Sequence, residues 1–144
     1  MRSFKFLNLP AFALLAFLFQ AAAASAHAQG PAYLHAISDL RSAREYLKMD
    51  TRPETSNARG FALYQINRAI DDMQKAAIDD GKHPWQAPPP QSGGDPRWPI
   101  HSAQKLLQEA RQDVARGRDA PENVGLQIGS LQHIDKALQA LASF

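Results

Sequence analysis

The stretch Ala62-Leu-Tyr-Gln-Ile-Asn-Arg-Ala-Ile-Asp-Asp-Met73 reads against Ser130-Leu-Gln-His-Ile-Asp-Lys-Ala-Leu-Gln-Ala-Leu141 at an offset of 68 residues, and this pair decides the fold. Leu63, Ile66, Ala69, Ile70 and Met73 fall on Leu131, Ile134, Ala137, Leu138 and Leu141. The steps are threes and fours, the period of a helix that buries one face. At the same offset Thr51-Arg-Pro-Glu54 meets Asp119-Ala-Pro-Glu122. Thr51 and Asp119 can each N-cap a helix with a Glu three residues on, and Pro53 and Pro121 fall in the first turn, where a missing N–H costs little. Further upstream, at an offset of 67, Ala36, Leu40, Ala43, Arg44 and Leu47 meet Ala103, Leu107, Ala110, Arg111 and Val114.

Working outward, four amphipathic helices are expected, over residues 32–49, 53–80, 100–116 and 120–141. The first buries Tyr33, Ile37, Leu40 and Leu47, and the last buries Val124, Ile128, Leu131, Ile134, Leu138 and Leu141. No segment alternates with period two, so no strand is expected. The reading is an all-α, up-down four-helix bundle built from a duplicated helical hairpin. The hairpins span 32–81 and 100–142 within a domain of residues 29–144, and Gly81 is placed for a left-handed helix end. The linker, 82–99, carries six prolines and two glycines, which forbid regular helix and favour an extended path. It is long for a loop inside a compact domain, so it either crosses the bundle or has a task of its own.

Before the bundle, Arg2 and Lys5 precede the apolar run Ala11–Phe19 and a small-residue exit, Ala21–Ala28, with overlapping A-x-A patterns. That is the layout of a cleavable signal peptide, residues 1–28, and it implies a periplasmic or secreted protein with no membrane anchor after cleavage. The full chain of 144 residues has a net charge of +2. Loss of the first 28 residues removes Arg2 and Lys5 and leaves 116 residues with 14 basic and 14 acidic side chains. No positive excess then remains to bind a phosphate backbone, which argues against a nucleic-acid partner. The absence of cysteine excludes disulfides and thiol chemistry.

Candidate sites are few. Counting from a turn near Gly117–Asp119 places His101 opposite His133 and Asp135, a set that could hold zinc, copper or nickel. His133 and Asp135 are two residues apart, about 200° around a helix, so only one of them joins His101 easily. The same counting sets His35 opposite Gln65 and Asn67. Arg44 and Arg111 occupy equivalent places at the edge of the apolar stripe, and Asn67 and Asp135 equivalent places within it; they read as long Arg stems covering the core margin or an ion pair fixing helix register, with a polar layer or anion site as the alternative. Asp71, Asp72, Asp79 and Asp80 read as a solvated acidic face. Trp85 and Trp98 bracket the linker, each beside a proline. They serve either as anchors for a partner or as rings packed over the bundle ends. There is no Gly-rich phosphate loop, no nucleophile elbow, no H-E-x-x-H and no Glu-x-x-His di-iron pattern. No enzymatic activity is expected.

The stretches Ala77-Ile-Asp-Asp-Gly-Lys82 and His133-Ile-Asp-Lys-Ala137, with the N-terminal signal and the hairpins, resemble a group of small exported bacterial four-helix proteins that are largely uncharacterised. In outline the chain is also similar to small periplasmic metal-binding proteins with His-rich helical repeats. The first resemblance implies fold and compartment, and the second a low-affinity site for a divalent metal. The histidine ladder of the metal binders is missing: after cleavage only His35, His83, His101 and His133 remain. The function expected is therefore an exported, non-catalytic binding or scaffolding module, monomeric or weakly self-associating, with a protein or small-ligand partner and no required cofactor. A metal binder is the alternative.

Overall fold

A computed structural model describes residues 32–117 and 123–144. The signal-peptide expectation and the Asp119–Glu122 cap lie outside the described residues. Four helices form: α1 Ala32–Met49, α2 Ser56–Asp79, α3 Pro99–Arg116 and α4 Val124–Leu141. Short 3-10 turns precede α2 at Pro53–Thr55 and sit in the linker at Pro84–Gln86. There is no strand among the described residues, and no described helix is long and apolar enough to cross a membrane.

Much of the core lies where the sequence periodicity puts it. Ile37, Leu40 and Leu47 of α1, Ile66 and Met73 of α2, Leu106 and Leu107 of α3, and Ile134 and Leu141 of α4 are all fully buried. Alanines fill the spaces between them: Ala36, Ala43, Ala62, Ala69, Ala103, Ala110 and Ala137 show no exposed surface. Small residues let helices approach closely, and α1 packs most extensively along α3, as α2 does along α4.

Helix directions follow from the bonds at the helix ends. Asn123, just before α4, donates to Asp80 at the end of α2 (3.0 Å), and Gln104 near the start of α3 donates to the Leu141 carbonyl at the end of α4 (2.7 Å). α4 is therefore antiparallel to both α2 and α3, and the helices run up, down, down, up. The up-down order holds within each hairpin but not across the linker, which must travel the length of the bundle.

It does so as a strap over the groove between α1 and α3. Arg41 donates to the Pro84 carbonyl (3.1 Å) and Ser38 to the Pro88 carbonyl. The Gln91 amide donates to Asp39 (3.0 Å) and its side chain to Asp113 (2.7 Å). Ser92 donates to Glu109 (2.7 Å), and the Gly94 amide donates to the Tyr46 hydroxyl (3.0 Å). A Cβ on Gly94 would stand 2.5 Å from the Tyr46 ring and 2.6 Å from Ser102, so only glycine lets the strap lie this close.

The helix ends divide the local expectations. Gly81 takes φ +68°, with Lys82 N–H bonded to the Ala77 carbonyl and Gly81 N–H to that of Ile78, the expected left-handed stop. Thr51 does not cap. Thr55 instead donates to the buried Asp50 carboxylate (2.5 Å), which also accepts from Arg52 (2.7 Å), while Arg59 donates to the Asp50 carbonyl. Burial alone would raise the Asp50 pKa, but the Arg52 and Thr55 donors hold it below the ordinary value.

α4 departs from its expected stripe. Val124 is 43% and Ile128 49% exposed, Leu131 and Leu138 are only partly buried, and Ser130 is fully buried. The close approach to α2 explains this: Ser130 donates to the Ala69 carbonyl (3.2 Å), and Gly129 sits against Asp72. The small side of α4 faces inward there, and Val124 and Ile128 turn outward. Asp72 is correspondingly drawn against α4 rather than left on a solvated face.

Candidate functional site

The end of the bundle where α3 begins is built by a tight turn. Trp98 N–H bonds the Asp95 carbonyl (3.0 Å) and Ser102 N–H bonds the Trp98 carbonyl (2.9 Å). Ser102 Oγ accepts from the Asp95 amide (2.7 Å) and lies 3.0 Å from its carbonyl. Pro99 supplies the first helical residue at no cost, because its missing N–H would have had no partner. Arg97 closes on Asp95 at 2.7 Å, holding that carboxyl below its ordinary range. Trp98 is fixed at the N-cap position and is 62% exposed.

Two clefts flank that ring. One, of about 570 Å³, is lined by Gly93, Gly94, Asp95, Trp98, His101, Ser102 and Lys105. The other, of about 380 Å³, lies toward the α1 end and the C-terminus and includes Met49, Asp50, Arg52, Arg97, Trp98, His101 and Phe144. Arg52 and Arg97 are neutralised by Asp50 and Asp95. Lys105 forms no ion pair among the described residues. The site thus offers an aromatic plate, an imidazole 6.3 Å from it, centroid to centroid, and one cation.

The sequence candidates scatter. His101 is exposed, beside Trp98, with Nδ1 3.2 Å from Gln104 Oε1. His133 turns toward α2, with Nδ1 2.6 Å from Gln65 Oε1 and Nε2 3.9 Å from Asp72. Burial lowers its pKa, nearby Arg68 and Lys136 add to that, and Asp72 opposes. Asp135 turns toward α3 and accepts from Arg111 at 2.5 Å. The three are not brought together. Arg111 with Asp135 and Gln104 with Leu141 centre the hairpin near Asn123 rather than Gly117–Asp119, which moves His101 opposite the C-terminus. Likewise Asn67 pairs with Arg44 (3.2 Å) rather than with His35, which lies instead near Asp113. Among the described residues no three His, Asp or Glu are grouped so as to hold a metal ion.

Trp85 is 68% exposed and leans on His83, with ring centroids 5.2 Å apart. Neither tryptophan packs over a bundle end. The sequence reading missed the buried acid Asp39, which lies within the span of α1 as a neighbour of Leu40. Its partner at an offset of 67 is Leu106, a buried leucine, and that mismatch is the signal that could have exposed it. Compared with protein-family models, curated proteins and solved structures, the chain matches none.

Proposed function

We propose that the protein is an exported, non-catalytic helical-bundle module that binds a small ligand at its Trp98 end. Export to the periplasm or beyond rests on the N-terminal pattern of Arg2, Lys5, the apolar run and the Ala-rich exit. The observation that carries the binding reading is the Trp98 ring, exposed between two clefts on a turn fixed by hydrogen bonds on both sides. A large aromatic surface left open beside concave space is a usual feature of a recognition site. With Lys105 and His101 next to it, the cleft fits a compact aromatic or apolar molecule carrying an anionic group. The duplicated hairpin belongs to the same reading. It is supported by Arg44–Asn67 and Arg111–Asp135, equivalent in sequence and each bonded between the two helices of its own hairpin.

A Trp85→Phe variant leaves Trp98 as the sole indole reporter. Titration with aromatic carboxylates, and with neutral and cationic counterparts, should give saturable quenching for the carboxylates alone. Lys105→Ala should abolish it without changing the melting temperature of the free protein. If no compound quenches Trp98 or raises the melting temperature at millimolar concentration, the binding reading fails.

A further inference from the structure

The strap is fastened in its middle by three carboxyl groups. Gln91 N–H bonds Asp39, Gln91 Nε2 bonds Asp113, and Ser92 Oγ bonds Glu109. Asp39 has no exposed surface, and its second oxygen, Oδ2, has no hydrogen-bond partner. The side chains acting on Asp39 are both acids, Glu109 and Asp113 from α3. Asp113 also feels His35 from α1 and Arg116 from its own helix. Strap residues 84–94 carry no titratable side chain. The remaining fastenings are Arg41 on the Pro84 carbonyl, Ser38 on that of Pro88, and the Tyr46 hydroxyl under Gly94. They lie to either side of Gln91 and Ser92 along the chain.

Three acids gathered under one segment repel when ionised, and an orphan carboxylate oxygen away from water is costly. A proton on Oδ2 removes the charge and turns the orphan acceptor into a donor. Lifting the strap does the opposite, because it lets water reach the ionised groups. Protons therefore bind the closed strap better than the open one. By linkage, acid must close it and neutral pH must loosen it.

We propose that residues 88–94 form a proton-operated clasp, fastened onto the α1/α3 groove when Asp39, buried beneath Gln91, holds a proton and loosened when it ionises. The clasp needs no ligand in the Trp98 cleft, although Gly93 and Gly94 belong to both. Burial raises the Asp39 pKa to about 6 against 3.8 for a free group, with the Gln91 amide opposing and Glu109 and Asp113 adding. That difference makes opening about 30-fold more favourable at pH 7.5 than at pH 4.5.

The test is amide exchange at Gln91 and Gly94 in the intact exported chain, followed by NMR from pH 4.5 to 7.5 and corrected for intrinsic exchange. Protection at these two amides should fall about 30-fold over the range, while that of α2 and α4 amides should not follow it. Asp39→Asn should remove most of the dependence and keep the strap closed. Gln91→Ala, which keeps all three acids but deletes the Asp113 bond, should reduce Gly94 protection even at pH 4.5. Protection that is flat with pH in the parent overturns the clasp. So does an Asp39→Asn variant with the parent's full dependence. If that variant does not fold, unchanged Gly94 protection in Gln91→Ala overturns the clasp on its own.

Discussion

Replacing Asp39 by Asn should stabilise the protein at neutral pH, an unusual expectation for a substitution at a fully buried position. Asn keeps the shape. Its Oδ1 can still accept from Gln91 N–H, and its amide takes the place of Oδ2, which has no partner. What it removes is the cost of ionising a buried acid. The folded-state pKa of about 6 lies above the unfolded 3.8, so the folded state binds the proton more tightly. The stability linked to Asp39 is therefore fully present below pH 3.8 and is lost as pH rises through 6. Worked through, the loss is about 1 kcal/mol at pH 4.5 and about 3 kcal/mol at pH 7.5. The parent should give up about 2 kcal/mol over that interval that Asp39→Asn retains. Asp113, pushed up by burial, acts in the same direction in both proteins, and the lowered acids Glu45, Asp50 and Asp95 act mainly below this window. Urea denaturation at pH 4.5, 6 and 7.5 measures the difference between the two proteins. An Asn variant no more stable than the parent at pH 7.5, or one whose gain is equal at all three values, would refute the reasoning.

Other substitutions test other links. Ile134→Ala, at a fully buried position of α4, should cost about 2–5 kcal/mol in urea denaturation, and the exposed Ile128→Ala less than about 0.5 kcal/mol. Gly94→Ala should lift the strap off Tyr46, read as earlier proteolytic cleavage between residues 84 and 97 with the four helices retained by circular dichroism. His133 has a pKa held below 6.5 by burial, so its charged form is disfavoured in the fold and stability falls as pH drops below 6.5. His133→Gln should lose that part of the acid sensitivity, and unchanged sensitivity in chemical denaturation would remove the assignment.

Much of the fold was legible because helical periodicity and small-residue spacing are local signals. The bounds of α1 are the ones read from the sequence, and Gly81 stops α2 where its type requires. Register was not legible. Gly117–Asp119 looks like the turn of the second hairpin, and a shift of a few residues in the turn centre moves every cross-helix pairing by twice as much. That separated His101 from His133. The buried face of α4 is not legible either, because Val124 and Ile128 look like core, while the helix approaches α2 through Gly129 and Ser130, whose value is their lack of volume. The strap's fastenings join residues 17 to 52 positions apart, and no local pattern encodes them.

Set side by side, the two halves differ where the strap lies. At an offset of 67 the core positions stay apolar: Ala36 and Ala103, Leu40 and Leu107, Ala43 and Ala110, Leu47 and Val114. The positions that meet the strap do not match: Asp39 against Leu106, Ser42 against Glu109, Tyr46 against Asp113. Two identical hairpins would present a symmetric groove, and a single strap crossing it in one direction cannot satisfy both halves alike. Gln91 needs acceptors on α1 and on α3 at once, and Asp39 and Asp113 supply them from non-equivalent places. A strap needed only to connect α2 to α3 would be served by apolar contacts and Pro-rich stiffness. A fully buried Asp39 with an unpartnered oxygen, set beneath it beside two more acids, costs stability at neutral pH. That cost is the physical argument that the strap is built to loosen.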